Sequence, residues 1–346
     1  MKCSMLVTQE SFPLAKVFRI SRGAKTAAHV VVVAITDGTH WGWGEAVPYN
    51  RYGESIESVM AQLKAFKASD ALTDITHSRI SEALPPGSAR NALDCALWDL
   101  ECKRQRKSIN ELVSIPAISH SITAQTLSVD TPEAMQKEAR LLQNADLIKI
   151  KLDADSVLEK MQLIHAACPT SRFIIDANEG WSFELLLRIV DALAEMNVVL
   201  IEQPLPADQD DQLKGFNSPV PLCADESCHT ASDIPRLKDS FDYVNIKLDK
   251  TGGLSEALAL LNAAKQAKMG IMVGCMVGTS LAMAPAYSLC KDADFVDLDG
   301  PLLVAQDRIN GFKFDNGIMH SHSAIMWGTA DNTAQQDIKK VFADFS

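Results

Sequence analysis

The sequence is short of positive charge: 33 Lys and Arg stand against 44 Asp and Glu in 346 residues, a formal net charge of −11. Nucleic acids and lipid headgroup surfaces are polyanions and would repel such a chain, so neither is an expected partner and a small-molecule ligand is. Long apolar runs are also missing. None approaches the ~18 residues of a membrane span, and the opening MKCSMLVTQE has no apolar core with a small-residue cleavage site, so a soluble, cytoplasmic protein is expected. Paired cysteines are absent too. The eight cysteines are scattered and form no CxxC, which signals neither a disulfide framework nor a zinc knuckle. Hydrophobic residues, by contrast, make up 47% of the chain, ample for a sizeable core in two domains or one large barrel.

Two grammars divide the chain. From Leu6 to Tyr52 the pattern is strand-like: PLAKVFRI, AAHVVVVAIT, a turn at Asp37-Gly38 and the glycine-rich WGWGEAVPY predict an antiparallel meander. SRGAKTAA (21–28) interrupts it with the composition of a loop. Residues 54–113 read as helices, the strongest being SARNALDCALWDLECKRQ, so residues 1–117 predict an α+β unit. Strands then alternate with helices. Strands are expected near 121–127, 147–153, 172–178, 198–204, 221–227, 243–249, 270–276 and 295–300, at intervals of roughly 22–26 residues that fit repeated βα units. Residues 118–300 therefore predict a closed, TIM-like barrel. After Gly300 the alternation stops; GFKFDNGIMH has a hairpin pattern, and the segment 301–346 is expected to pack back on the first domain.

Charge falls at the C-terminal ends of these strands. In LIKIKLD, side-chain alternation puts Lys149, Lys151 and Asp153 on one face; a solvated edge strand would look the same, but the recurrence in FIIDAN, VLIEQP, LCADES and VNIKLD argues for a shared mouth. Asp176, Glu202 and Asp225 occupy equivalent points on three successive strands and would meet there. Unpaired they would repel; an all-oxygen set without His or Cys points to Mg²⁺ or Mn²⁺, one ion per subunit, rather than Zn²⁺. Lys247 holds on the sixth strand the register of Lys151 on the second, so the two amines would flank one ligand, and a nearby dication favours the neutral amine of a base. Two such groups around a metal suit proton abstraction next to a carboxylate, and Lys149 could neutralise that carboxylate further.

The motifs RYGES, ARNALDCALWDL, ITAQT, KIKLD, DAN, EQPLP, CADESCHT, NIKLDKTGGL, GCM and DLDGP cover nearly the whole chain. Together they resemble the muconate-lactonising subgroup of the enolase superfamily, and within it the L-Ala-D/L-Glu epimerases, dipeptide epimerases of murein-peptide recycling. The resemblance implies a (β/α)7β barrel with an α+β capping domain. It implies that Asp176, Glu202 and Asp225 hold Mg²⁺, that Lys151 and Lys247 are the acid/base pair, and that Lys149 meets the substrate carboxylate. It further assigns Asp297 and Asp299 to the dipeptide's ammonium and places Thr126 and Cys275 along the substrate site. Two alternatives in the same family, N-acylamino-acid racemisation and syn-dehydration to o-succinylbenzoate, supply no ammonium to balance Asp297 and Asp299. A barrel that binds metal and ligand without turnover is the alternative from another class. Lys25 stands where glutamate-specific relatives carry an arginine; lysine keeps the charge and loses the bidentate geometry. Asn178 reads equally as a neighbour of the metal ligands or a turn former, His229 as a satisfied polar residue, and Trp98 and Trp181 as packing. A homo-oligomer is left open.

Overall fold

In the computed structural model, which describes residues 3–321 and 327–330, the N-terminal meander is three antiparallel strands in sequential order: β1 (Ser4–Ile20), β2 (Gly23–Thr36) and β3 (Trp41–Ala46). The uninterrupted VVVVAI of β2 follows from burial on both faces. Val31, Val33 and Ile35 enter the core of the capping unit, while Val30, Val32 and Ala34 enter the core shared with the barrel. Three longer helices follow, α1 (Ile56–Ala68), capped by Ser55; α2 (His77–Ala83), capped by Thr76; and α3 (Ser88–Gln105), and a short one, Ile109–Val113, ends the unit. The glycines of WGWGE are a packing requirement. A Cβ on Gly42 or Gly44 would lie 2.1 Å from Ala96 O or 2.0 Å from Ala92 O, so only glycine lets β3 lie directly against α3.

The segment 21–28 is not the loop its composition predicts. Only Ser21 and Arg22 turn; Gly23, Ala24 and Lys25 pair with Ile20, Arg19 and Phe18, making a hairpin tip whose register shifts between Pro13 and Phe18. Most of the tip is exposed on both faces, so burial leaves no alternating pattern to read. An irregularity of this kind bends the strand that carries it.

Eight parallel strands follow in consecutive spatial order: β5 (Gln125–Leu127), β6 (Leu147–Lys151), β7 (Arg172–Asp176), β8 (Val198–Glu202), β9 (Leu222–Ala224), β10 (Tyr243–Ile246), β11 (Gly270–Gly274) and β12 (Phe295–Asp297). The ring is nearly closed: Ala124 N–H donates to Val296 O (2.8 Å), and Leu298 N–H donates to Thr123 Oγ1 (2.9 Å). Leu147, Ile174, Leu200, Cys223, Met272 and Phe295 form a separate apolar cluster with Ala124. Two residues further along most of these strands, the same face turns polar. The expected first strand, 121–127, divides in two. β4 (His120–Ile122) leaves the barrel and pairs antiparallel with β14 (Ile318–His320), which forms a hairpin with β13 (Lys313–Asp315). Trp327 Nε1 donates to Cys95 O (3.0 Å) and Gly328 N–H to Asp99 Oδ1 (2.8 Å), so this stretch lies on α3. The rest of the C-terminal segment, residues 331–346, lies outside the described residues. All eight cysteines are free, and no helix among the described residues is long and apolar enough to cross a membrane.

Candidate active site

Strand register assembles the centre. Lys151 on β6 stands beside Asp176 on β7, and Asp176 beside Glu202 on β8; Cys223 opposes Glu202 on β9, so Asp225 lies two residues on, over the same face. One oxygen from each of Asp176, Glu202 and Asp225 lies within 4.8 Å of the others, and all three residues are buried. That is the spacing and donor chemistry of a hard divalent cation. The trio fits Mg²⁺ or Mn²⁺ and offers nothing that would prefer a softer ion.

Four lysines surround the trio. Lys151 Nζ is 2.5 Å from Asp176 Oδ2, and Lys247 Nζ is 2.6 Å from Asp225 Oδ2 and 3.6 Å from Glu202 Oε1. β6 and β10 are four apart in the ring of eight, so these amines reach the acids from opposite sides. Lys149 is more deeply engaged than its strand pattern indicates. Its Nζ meets Glu202 Oε2 at 2.6 Å, Asp297 Oδ2 at 2.8 Å and Asp176 Oδ2 at 3.1 Å, with the side chain 1% exposed. Sequence reasoning missed the fourth, Lys250, which donates to Asp225 Oδ1 (2.6 Å), Asp225 O (2.5 Å) and Asn245 O (2.9 Å). Asn245, also missed, donates to Glu202 Oε1 (2.8 Å). It is one register step before Lys247, the one signal that could have found it.

These contacts set the charges. Burial opposes the charge on Lys247 and Lys149, but the facing carboxylates outweigh it and hold both ammonium groups well above the ordinary lysine range. Facing these carboxylates alone, Lys247 is held as an ammonium. Burial likewise opposes ionisation of Asp225, yet Lys247 and Lys250 keep its carboxyl well below the usual range. Glu202 goes the other way: burial, then repulsion from Asp176, pushes it up to about 7.

A cavity of about 510 Å³ opens over this centre, lined by Lys151, Asn178, Asp225, Glu226, Lys247 and Cys275 below and by Phe18, Arg22, Lys25, Tyr49, Arg51 and Tyr52 above. The hairpin tip is its roof, latched by Arg22, another residue sequence reasoning passed over. Arg22 donates to Asn178 O (2.7 Å), Glu179 Oε2 (3.0 Å), Tyr49 Oη (3.0 Å) and Glu226 Oε1 (2.6 Å). Asn178 fits both of its readings: its N–H donates to Asp176 Oδ1 (2.9 Å) and its φ of 45° turns the chain. His229 is satisfied by Glu226 O at 3.1 Å, and Trp98 and Trp181 donate to Ser255 and to the Asp153 carbonyl.

Asp299 accepts the Thr126 N–H (2.7 Å); burial, then Asp297, pushes its carboxyl up to about 7. Thr126 and Asp299 line a neighbouring cavity of about 570 Å³ between β1, the loop after β5 and residues 299–303, so the expected substrate contacts are divided between two cavities that share Phe18.

A parallel barrel with a carboxylate trio, opposed lysines and a roof supplied by a separate capping unit defines a metal-assisted proton-transfer enzyme of the enolase type. The chain belongs to that family: residues 134–321 match the enolase C-terminal domain-like family, and residues 2–114 match the mandelate racemase / muconate lactonizing enzyme N-terminal domain. Its sequence is 49% identical to an N-acetyl-D-glutamate racemase of a Pseudoalteromonas species, over 88% of this chain and 96% of that protein. It is 44% identical to the L-Ala-D/L-Glu epimerase of Escherichia coli (strain K12), over 91% and 98%. Among solved structures, an enolase family member from Agrobacterium tumefaciens with homology to dipeptide epimerases, with bound sodium and L-Ala-L-Glu, superposes with a TM-score of 0.91 at 43% identity, covering 94% of this chain and 100% of that one. A dipeptide epimerase from Methylococcus capsulatus complexed with Mg and L-Arg-D-Lys gives 0.86 at 27% identity, covering 95% and 99%.

Proposed function

We propose that this protein is a cytoplasmic isomerase that binds one Mg²⁺ and epimerises the C-terminal residue of L-Ala-D/L-Glu or a near relative. The observation that carries the reading is the placement of Lys151 and Lys247: on strands four apart, lining one cavity, each held by a different member of one carboxylate trio. Asp176, Glu202 and Asp225 would hold the metal, which when bound offsets negative charge that builds on a substrate carboxylate losing its α-proton. Lys151 and Lys247 act on the two faces of that α-carbon, one taking the proton and the other, as its ammonium, returning one. Asp176 and Asp225 aim the two amines. The hairpin roof excludes water during the transfer.

The ends of the substrate are assigned by charge. Lys25 lines the cavity and has no carboxylate within ion-pair distance among the described residues, so it is available to an acidic side chain. Asp297 and Asp299, both buried, would take the α-ammonium. The raised Asp299 favours a second reading, in which an N-acetylated glutamate is the substrate: a carboxyl protonated about half the time near pH 7 tolerates an uncharged acyl group better than a full carboxylate does. Supplying L-Ala-L-Glu and N-acetyl-L-glutamate, each with Mg²⁺ in D₂O, separates the two. The dipeptide is expected to be favoured in kcat/KM by about 10- to 100-fold, the scale of a buried group left unpaired. A reversed preference selects the acylated substrate, and absence of deuterium uptake from either removes the enzyme assignment.

A further inference from the structure

Lys25 is unlike the other cations of the roof. Arg22 is matched by Glu226 and Glu179, and Arg51 is held by Glu179 through two 2.7 Å bonds. The Lys25 ammonium has no such carboxylate among the described residues and lies 4.9 Å from the centre of the Tyr49 ring, which the Arg22 guanidinium also faces at 5.9 Å. An aromatic face attracts a cation without cancelling its charge. A carboxylate in the same place would fix Lys25 equally well and use up the charge an anionic substrate needs. The ring is itself fixed. Its hydroxyl accepts from Arg22 (3.0 Å), its edge meets Tyr52 (5.4 Å between centroids, 67° between planes), and its backbone carbonyl accepts the Tyr52 N–H (2.9 Å).

From this geometry we infer that Tyr49 is the residue that sets selectivity for an acidic side chain, by holding the Lys25 ammonium over the cavity with its charge uncompensated. The inference rests on the assignment of Lys25 to the substrate side chain. It also gives a physical reason for tolerating lysine at this position. A lysine on an exposed hairpin tip samples many rotamers and would lose that freedom on binding; the ring takes most of that loss in advance. Tyr49 acts through Lys25 and is a positioning residue.

The test is the ratio of kcat/KM for L-Ala-L-Glu to that for L-Ala-L-Gln, measured with Mg²⁺ in the parent and in Tyr49→Phe, Tyr49→Leu, Lys25→Ala and the Tyr49→Leu/Lys25→Ala double variant. Tyr49→Phe keeps the ring and should keep the ratio within about two-fold, while Tyr49→Leu should lower it about five-fold, the worth of one cation–π contact. In the Lys25→Ala background, removing the ring should have no further effect on the ratio. A Tyr49→Leu protein with the parent ratio, a Tyr49→Phe protein that falls as far as Tyr49→Leu, or an equal fall in the Lys25→Ala background would each overturn the inference. A parent ratio of one overturns the acidic-side-chain assignment and this inference with it, and that result is read on the parent alone.

Discussion

Asp225 divides its carboxylate between two buried lysines, Lys247 on Oδ2 and Lys250 on Oδ1, and the two have different work. Lys250 is 1% exposed, does not line the cavity and spends its three donors on Asp225 and Asn245, so its contribution is to the aim and ionisation of Asp225. Lys250→Met should strip a buried carboxylate of one counter-charge, lowering stability by about 3 kcal/mol and weakening Mg²⁺ binding. Thermal melts and calorimetric Mg²⁺ titration check this; parent values in both would show that Lys247 alone suffices. The proposed pair of opposed bases predicts something sharper. Lys151→Ala should fail to epimerise yet still exchange the α-proton of the L,L dipeptide with D₂O, and Lys247→Ala should exchange the other diastereomer, as followed by NMR on each supplied separately. Equal exchange of both diastereomers by either variant contradicts opposed bases. Lys151, Lys247 and the three acids were legible in the sequence because strand alternation puts every second residue on one face. Lys250 was not, since it lies in the short helix Leu248–Thr251 beyond the strand end, where that period no longer applies.

The hairpin of β1 and β2 is the element that roofs the barrel mouth, and one side chain fastens it. Arg22 makes four hydrogen bonds to three separate segments, two of them to the loop after β7. Replacing Arg22 with Met should raise KM several-fold with a smaller effect on kcat, because the chemistry below is intact while the roof is less ordered before binding. Limited proteolysis within 21–28 should quicken at the same time. A changed kcat with unchanged KM and proteolysis would place Arg22 in the chemistry instead. The barrel strands were legible from their register of terminal charges. The strands of this hairpin were legible too, but its tip was not: a ladder exposed on both faces has neither the alternation of a half-buried strand nor the apolar run of a buried one, and its small residues mimic a loop. The division of the expected first strand at Thr123 and Ala124 was hidden for a related reason, since ITAQT reads as one extended run and only the returning C-terminal hairpin separates β4 from β5.

For the whole molecule, the geometry of the site depends on how the capping unit is held on the barrel, and one group at that junction titrates: His77, whose Nδ1 lies 3.1 Å from the Ser255 hydroxyl of the barrel. His77 on α2 packs on Trp98 with ring centres 4.5 Å apart and planes tilted by 31°, and its Nδ1 is 2.6 Å from Asp94 Oδ1, both partners on α3. Asp94 in turn accepts from the N–H of Ser255 (2.9 Å) and its hydroxyl (2.6 Å), at the start of the barrel helix Leu254–Gln266. Burial opposes a charge on His77, but Asp94 and Glu101 outweigh it and raise its pKa from 6.5 to about 9. A histidine whose folded pKa exceeds its unfolded value stabilises the fold fully below the lower value and ceases to do so as pH rises through the upper one. The stability lost between pH 6.5 and 9 is at most about 3 kcal/mol, since each pH unit separating the two values is worth about 1.4 kcal/mol. Asp249, pushed up to about 7 by burial, adds a loss of the same sign in the lower part of this window, as do Glu202 and Asp299, so the parent curve alone does not isolate the histidine. The comparison with His77→Gln does. Urea midpoints at pH 6, 7, 8 and 9 should show the variant less stable than the parent at pH 6, with the gap closing toward pH 9. A gap that stays constant with pH would mean that His77 contributes through its packing on Trp98 within the capping unit and not through its charge.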